Sequence, residues 1–158
     1  MNDKDKIKPE FGRSAHEAPP NNASGFITDI TVDGVKIVIR TLNYEDGRIC
    51  DLILDNNHRD LGLRPQLGTH AKMISTGLQH GTPLKAFVDI FAFSKAPRTM
   101  KVEGYPGVET AHSILDAVMH VLAKEYNVQY GAQLALPAPE KKPAWKPQVV
   151  AGLDMDKS

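Results

Sequence analysis

Six histidines, one cysteine and a short basic run are the groups in this sequence with the chemistry to hold a metal, attack a substrate or bind an anion. His112, Asp116 and His120 recur at four-residue spacing inside an apolar-periodic stretch, so on a helix they share one face. That face lies opposite a stripe of Ile114, Val118 and Leu122, and it reads as solvated. A closed zinc site takes four ligands, and no second cluster supplies the missing one. His70 and His80 diverge around their own helix. No metal and no other cofactor is expected. Cys50 sits beside Ile49 and Leu52 in a β-rich run. A thiolate nucleophile requires a base or a positive field. His58 is near in sequence, but nothing places it against the sulfur, so Cys50 reads as structural. No phosphate-binding glycine loop, nucleophile elbow or paired-carboxylate pattern is present. No catalytic residue is assigned.

The basic run is the more informative feature. "SKAPRTMKVEGYPG" reads as a long loop carrying Lys95, Arg98 and Lys101, with only Glu103 to offset them. Such a loop fits a phosphate or an acidic partner surface, and loops of this length are functional more often than average. The alternative is a solvated loop with no ligand. Across the chain 19 basic side chains balance 19 acidic ones, which removes the global field that nucleic acid or an anionic membrane would need. The single cysteine allows no internal disulfide and suits a reducing compartment. The charged start "MNDKDKIKPEF" lacks the apolar core of a secretory signal, so a cytoplasmic location is expected.

The elements that must position these groups follow from periodicity. Residues 1–24 are charged and then rich in Pro and Asn, and read as a disordered arm. "FITDITV", "VKIVIRTL" and "RICDLIL" alternate with period two, separated by Asp33-Gly34 and by "YEDG". Asp-Gly between β-branched runs signals a hairpin. Ile37 and Ile39 then face one side, Val38 and Arg40 the other. After the polar segment "DNNHRDLGLRPQ", Leu67, Ala71, Ile74 and Leu78 recur at helical spacing. "GLQHGTPLKAF" closes that helix at Gly81 and opens a second, with Thr82 as cap and Pro83 in its first turn. Leu84, Phe87, Val88 and Phe91 form its buried side. A third helix is expected from near Val108, with Ala111, Ile114, Leu115, Val118, Met119 and Leu122 turned inward. The expected fold is α+β over residues 25–130. It has a three-stranded antiparallel meander with about three helices packed on one face. Residues 131–158 are rich in Pro and Lys and read as a flexible tail.

Several of these runs together resemble one family. Arg40-Thr41 leads a strand, Glu45-Asp46-Gly47 makes the next turn, and His58-Arg59-Asp60 follows the third strand. Then come Gly77-Leu78-Gln79-His80-Gly81-Thr82-Pro83-Leu84, Asp89, Phe91-Ala92-Phe93, and "SILD" at Ser113 to Asp116. In this order, over about residues 25–128, the chain resembles the TSCPD domain. That domain lies beyond the catalytic barrel of adenosylcobalamin-dependent, class II ribonucleotide reductases. The resemblance marks Arg40, Asp46, Gly47, His58, Gly81 and Pro83 as family-motif positions. It also implies a chemistry that needs a cysteine thiyl radical, an oxidisable cysteine pair and a cysteine-rich tail for re-reduction. One thiol cannot serve as radical carrier and two-electron reductant at once. Nor is there length here for a ten-stranded barrel, and the tail has no zinc-ribbon spacing. The expectation is therefore a free-standing, non-catalytic accessory or regulatory relative that acts by binding protein in deoxyribonucleotide synthesis. Its partner would be a ribonucleotide reductase catalytic chain, or itself. An adaptor that has left the reductase pathway is the alternative.

Overall fold

In a computed structural model, residues 15–56, 62–92 and 97–129 are described. The chain runs β1 (Ile27–Val32), β2 (Val35–Asn43), β3 (Ile49–Asn56), α1 (Leu63–Gln79), α2 (Leu84–Phe91), β4 (Met100–Glu103), β5 (Thr110–Ala111) and α3 (Ile114–Glu125). The α+β class and the antiparallel β1–β2–β3 meander are as expected. The sheet, however, has five strands, in the order β3-β2-β1-β4-β5. The segment read as a long basic loop contains β4, which pairs with β1 through Thr31↔Glu103 and Val32↔Val102. Accordingly the third helix starts at Ile114 instead of near Val108, because Thr110 and Ala111 pair with β4.

Strand alternation decides which face is covered. Register aligns Ile30 with Ile37, and Ile39 with Leu54, and each of these side chains is buried. Val102 joins the same face opposite Val32. The other face carries Ile27, Arg40 and Ile53 in one cross-strand row, all exposed. The helices supply the second layer: α1 buries Leu67, Ala71, Ile74 and Leu78, and α3 is buried nearly all round. These side chains form one core with the strand residues. No helix among the described residues is long and apolar enough to cross a membrane.

Of the stretch read as an arm, residues 15–24 are described and bonded to the domain. The Glu17 N–H donates to the Gln79 carbonyl at 2.8 Å, and Ser24 bridges Asn43. Residues 1–14 and the segment 131–158 read as a tail lie outside the described residues.

The joint between α1 and α2 is built as its residue types require. The Gly81 N–H donates to the Leu78 carbonyl and the Thr82 N–H to the Gly77 carbonyl, the two bonds of a Schellman C-cap. Gly81 holds the positive φ, +90°, that this cap needs. Pro83, with φ −70° and ψ 148°, takes the N-cap position of α2 itself. Thr82, expected as the cap, lies one residue too early and makes no capping bond. Gly77 has a different reason for being glycine: a Cβ there would come within 2.6 Å of Phe87 Cζ. The glycine lets the Phe87 ring lie against the last turn of α1.

That contact generates a test. In an open helix, Gly→Ala stabilises by about 1 kcal/mol. In this protein Gly77→Ala should destabilise by about 1–2 kcal/mol, because overpacking against the ring outweighs helix propensity. In a Phe87→Leu background the sign should reverse. Urea unfolding of the four proteins measures both values, and a stabilising Gly77→Ala in the unaltered chain would refute the packing argument.

Candidate functional site

Four of the family-motif residues, far apart in sequence, meet at one groove. The β2–β3 turn brings Asp46 and Gly47 to its one wall, and the α1–α2 joint brings Gly81 and Pro83 to the other. The groove has a volume of about 420 Å³, with an apolar floor of Ile49, Leu78 and Leu84. That volume is in the range of small-ligand pockets. Tyr126, one residue past α3, closes one end. Its hydroxyl donates to Asn43 Oδ1 at 2.5 Å and lies 2.7 Å from Thr41 Oγ1. Burial raises the Tyr126 pKa, so the phenol stays a neutral donor. Thr41 Oγ1 in turn accepts the Phe26 N–H, and Thr41 is buried. The threonine of the Arg40-Thr41 pair thus anchors the end of α3 to the sheet.

The rim is polar and its charges are already matched. Arg48 Nε donates to Asp46 Oδ2 at 2.7 Å, and its Nη2 reaches both Glu17 carboxylate oxygens at 3.2 Å. The hydrogen bond from Arg48 holds the Asp46 carboxyl below the ordinary range. The guanidinium also lies over the Tyr44 ring, 4.8 Å from its centroid, and the Tyr44 hydroxyl donates to the Glu17 carbonyl. The groove therefore has an apolar floor, a neutralised rim and no nucleophile. Asp46 and Tyr126, the lining groups able to exchange a proton, are both held in hydrogen bonds to neighbouring side chains.

The other positions singled out in sequence fall elsewhere. Arg40 stands on the open sheet face, and His58 lies outside the described residues. Of the basic trio, Lys95 is also outside them. Arg98 Nη2 donates to Asp33 Oδ2 at 2.8 Å, while Lys101 pairs with Glu103 at 2.8 Å and its backbone N–H caps Asp33 Oδ1. Both cations remain well exposed, so these pairs are weak and exchangeable.

The third helix corrects a sequence reading. The His112/Asp116/His120 face is not solvated: Asp116 is 1% exposed. Its Oδ2 accepts the His112 N–H at 2.7 Å, its Oδ1 lies 3.0 Å from His120 Nε2, and its own N–H donates to Ser113 Oγ. This is a variant of the capping box, with the carboxylate reaching one residue further back than the N-cap. The "SILD" run is thus a helix start, and one oxygen of its carboxylate is taken up by the backbone. Among the described residues no cluster of three or more His, Cys, Asp or Glu is placed to hold a metal ion. Cys50 is fully buried, and burial, followed by the nearby Asp51 charge, raises its pKa.

Two expectations separate the framework from the rim. Tyr126→Phe should cost about 1–2 kcal/mol in urea unfolding, since it leaves Asn43 Oδ1 without its donor and Thr41 Oγ1 without its hydroxyl neighbour. Asp46→Ala, which breaks an exposed pair, should leave the unfolding midpoint nearly unchanged. Cys50 should react with iodoacetamide only as fast as the domain opens, so labelling should accelerate with urea. Rapid labelling in buffer alone would place the thiol at the surface.

Comparison with known proteins then fixes the relationship. Over 110 residues the chain is 36% identical to the vitamin B12-dependent ribonucleotide reductase of Agrobacterium fabrum and 34% identical to that of Bradyrhizobium diazoefficiens. Each match covers 70% of this chain but 9% of the reductase. A reductase of the same name from Streptomyces clavuligerus is 26% identical over 115 residues, 72% of this chain and 12% of its own length. No family model matches, and no solved structure is significantly similar. This chain spans about a tenth of the curated relatives it matches, and the domain described above is related to a segment of the vitamin B12-dependent ribonucleotide reductases.

Proposed function

We propose that this domain is a non-catalytic accessory or regulatory module that works by binding protein in deoxyribonucleotide synthesis, with a ribonucleotide reductase catalytic chain as partner. The observation that carries the reading is the thiol count set beside the kinship. The segment is shared with reductases, whose chemistry as outlined above runs on several cysteines. Yet the one thiol in these 158 residues is buried within β3, where its pKa is raised. What these residues do build is a framework: the Schellman joint, the capped third helix, and the groove between the β2–β3 turn and the α1–α2 joint. Its surfaces suit contact better than turnover. The groove has room for an apolar side chain of a partner. The Arg98 and Lys101 pairs can be traded for carboxylates on an incoming surface, because pairs this exposed hold their members only weakly. Lys95 is proposed to add to that basic surface.

Two measurements test the reading. The purified protein, supplied with adenosylcobalamin and a dithiol, should reduce no ribonucleotide. Tagged protein returned to its native host should capture a reductase catalytic chain, identified by mass spectrometry. Replacing Lys95, Arg98 and Lys101 together with Ala should weaken that capture and flatten its salt dependence, while leaving the fold intact. Turnover by a preparation free of other reductases would refute the non-catalytic reading. Capture of no reductase chain would favour the adaptor that has left the pathway.

A further inference from the structure

The open face of the sheet carries a patch that the groove and the basic strand leave unused. Its centre is Arg40, flanked across the strands by Ile27 on β1 and Ile53 on β3. Ile27 is 67% exposed and Ile53 41%, two of the large apolar side chains that the described residues leave in water. Diagonal to Arg40 stands Asp51, which register places opposite Leu42 on the same face. Neighbouring charges on this sheet find partners: Lys36 pairs with Asp29 and Arg64 with Asp55. Arg40 and Asp51 do not, either with each other or with any other described residue. Asp51 Oδ1 accepts only the adjacent Leu52 N–H.

We infer that this face docks a second copy of the same chain, with Arg40 of each copy meeting Asp51 of the other across a two-fold axis. The inference rests on the protein-binding reading above and specifies one of its partners. A cation and a carboxylate, side by side and both unmatched, are self-complementary under two-fold rotation. An isologous contact then forms both ion pairs at once. The isoleucines that flank Arg40 supply the apolar centre, and an arginine set among apolar side chains is a frequent anchor of interfaces. A purely acidic or purely basic partner would satisfy one of the two charges and oppose the other. Nor do the copies repel each other as whole molecules, since the chain has 19 charges of each sign.

Sedimentation equilibrium on the full chain provides the test. The unaltered protein should be dimeric at micromolar concentration. Arg40→Glu and Asp51→Lys should each weaken self-association about tenfold or more, by placing like charges together. Mixing the two variants should restore a heterodimer, because the reversed charges then match across the interface. Circular dichroism verifies that each variant is folded, as expected for changes on an open face. A chain that stays monomeric to about 200 µM, a dissociation regime too weak for a specific dimer, overturns the inference. So does an Arg40→Glu variant that dimerises as tightly as the unaltered protein. A monomer that still captures a reductase chain overturns self-association alone. A dimer that captures none overturns the reductase partner alone.

Discussion

An open sheet has two edges, and the one at β3 governs how the rest of this domain is arranged. As the outer strand beyond β2, β3 has backbone groups with no strand to receive them. Such an edge is a template for unwanted pairing unless something covers it. Here the cover is α1. The buried Ser75 takes the Leu52 N–H on its Oγ and donates the same hydroxyl to the Leu52 carbonyl, at 2.9 and 3.1 Å. One turn further on, Gln79 Nε2 donates to the Cys50 carbonyl at 3.1 Å. Two polar side chains on a helix thus stand in for a strand. They succeed because the apolar stripe of Leu67, Ala71, Ile74 and Leu78 holds α1 close enough to reach.

Once α1 is fixed to that edge, the position of its C-terminus follows, and with it the groove. Gln79 sits at the last turn, so the joint at Gly81 is delivered next to the β2–β3 turn. The same glutamine also accepts contact from the stretch before the sheet, with Gln79 Oε1 2.8 Å from His16 Nε2. The groove is therefore a by-product of edge protection, and the motif residues around it divide by physical task. Gly77, Gln79 and Gly81 place α1 and α2, and Thr41 holds Tyr126. Asp46 and Arg48 remain on the rim, where their exchange would cost the fold little.

What could be read from the sequence follows the same division. Period-two alternation and Asp33-Gly34 identified β1, β2 and β3, because each strand alternates long enough to show its buried side. The stripes of α1 and α2 were legible for the corresponding helical reason. β4 and β5 were not. Met100–Glu103 is four residues long, and its strand character comes from pairing with Val32, a contact distant in sequence that no local pattern encodes. The buried Asp116 was misread for a sharper reason. Four-residue spacing of polar groups suggests a wet face, but α3 is enclosed on nearly every side, and one oxygen of its buried carboxylate accepts a backbone N–H while the other faces His120. The Ser-x-x-Asp pattern was visible and carried the correct signal, since it marks a helix start whose acid turns back toward the chain.

The protected edge also constrains how this domain can meet another molecule. With α1 over β3, and β5 only two residues long at the opposite edge, neither side of the sheet offers a long free backbone ladder among the described residues. Association by strand addition, which reads mainly hydrogen bonds along an edge, is therefore closed to it at β3. Any contact at that edge would have to use side chains. Side-chain contacts select partners by charge register in a way that a backbone ladder cannot, because a slipped register moves a charge onto the wrong neighbour. An arginine between two isoleucines and a carboxylate one diagonal away form such a register on a single face.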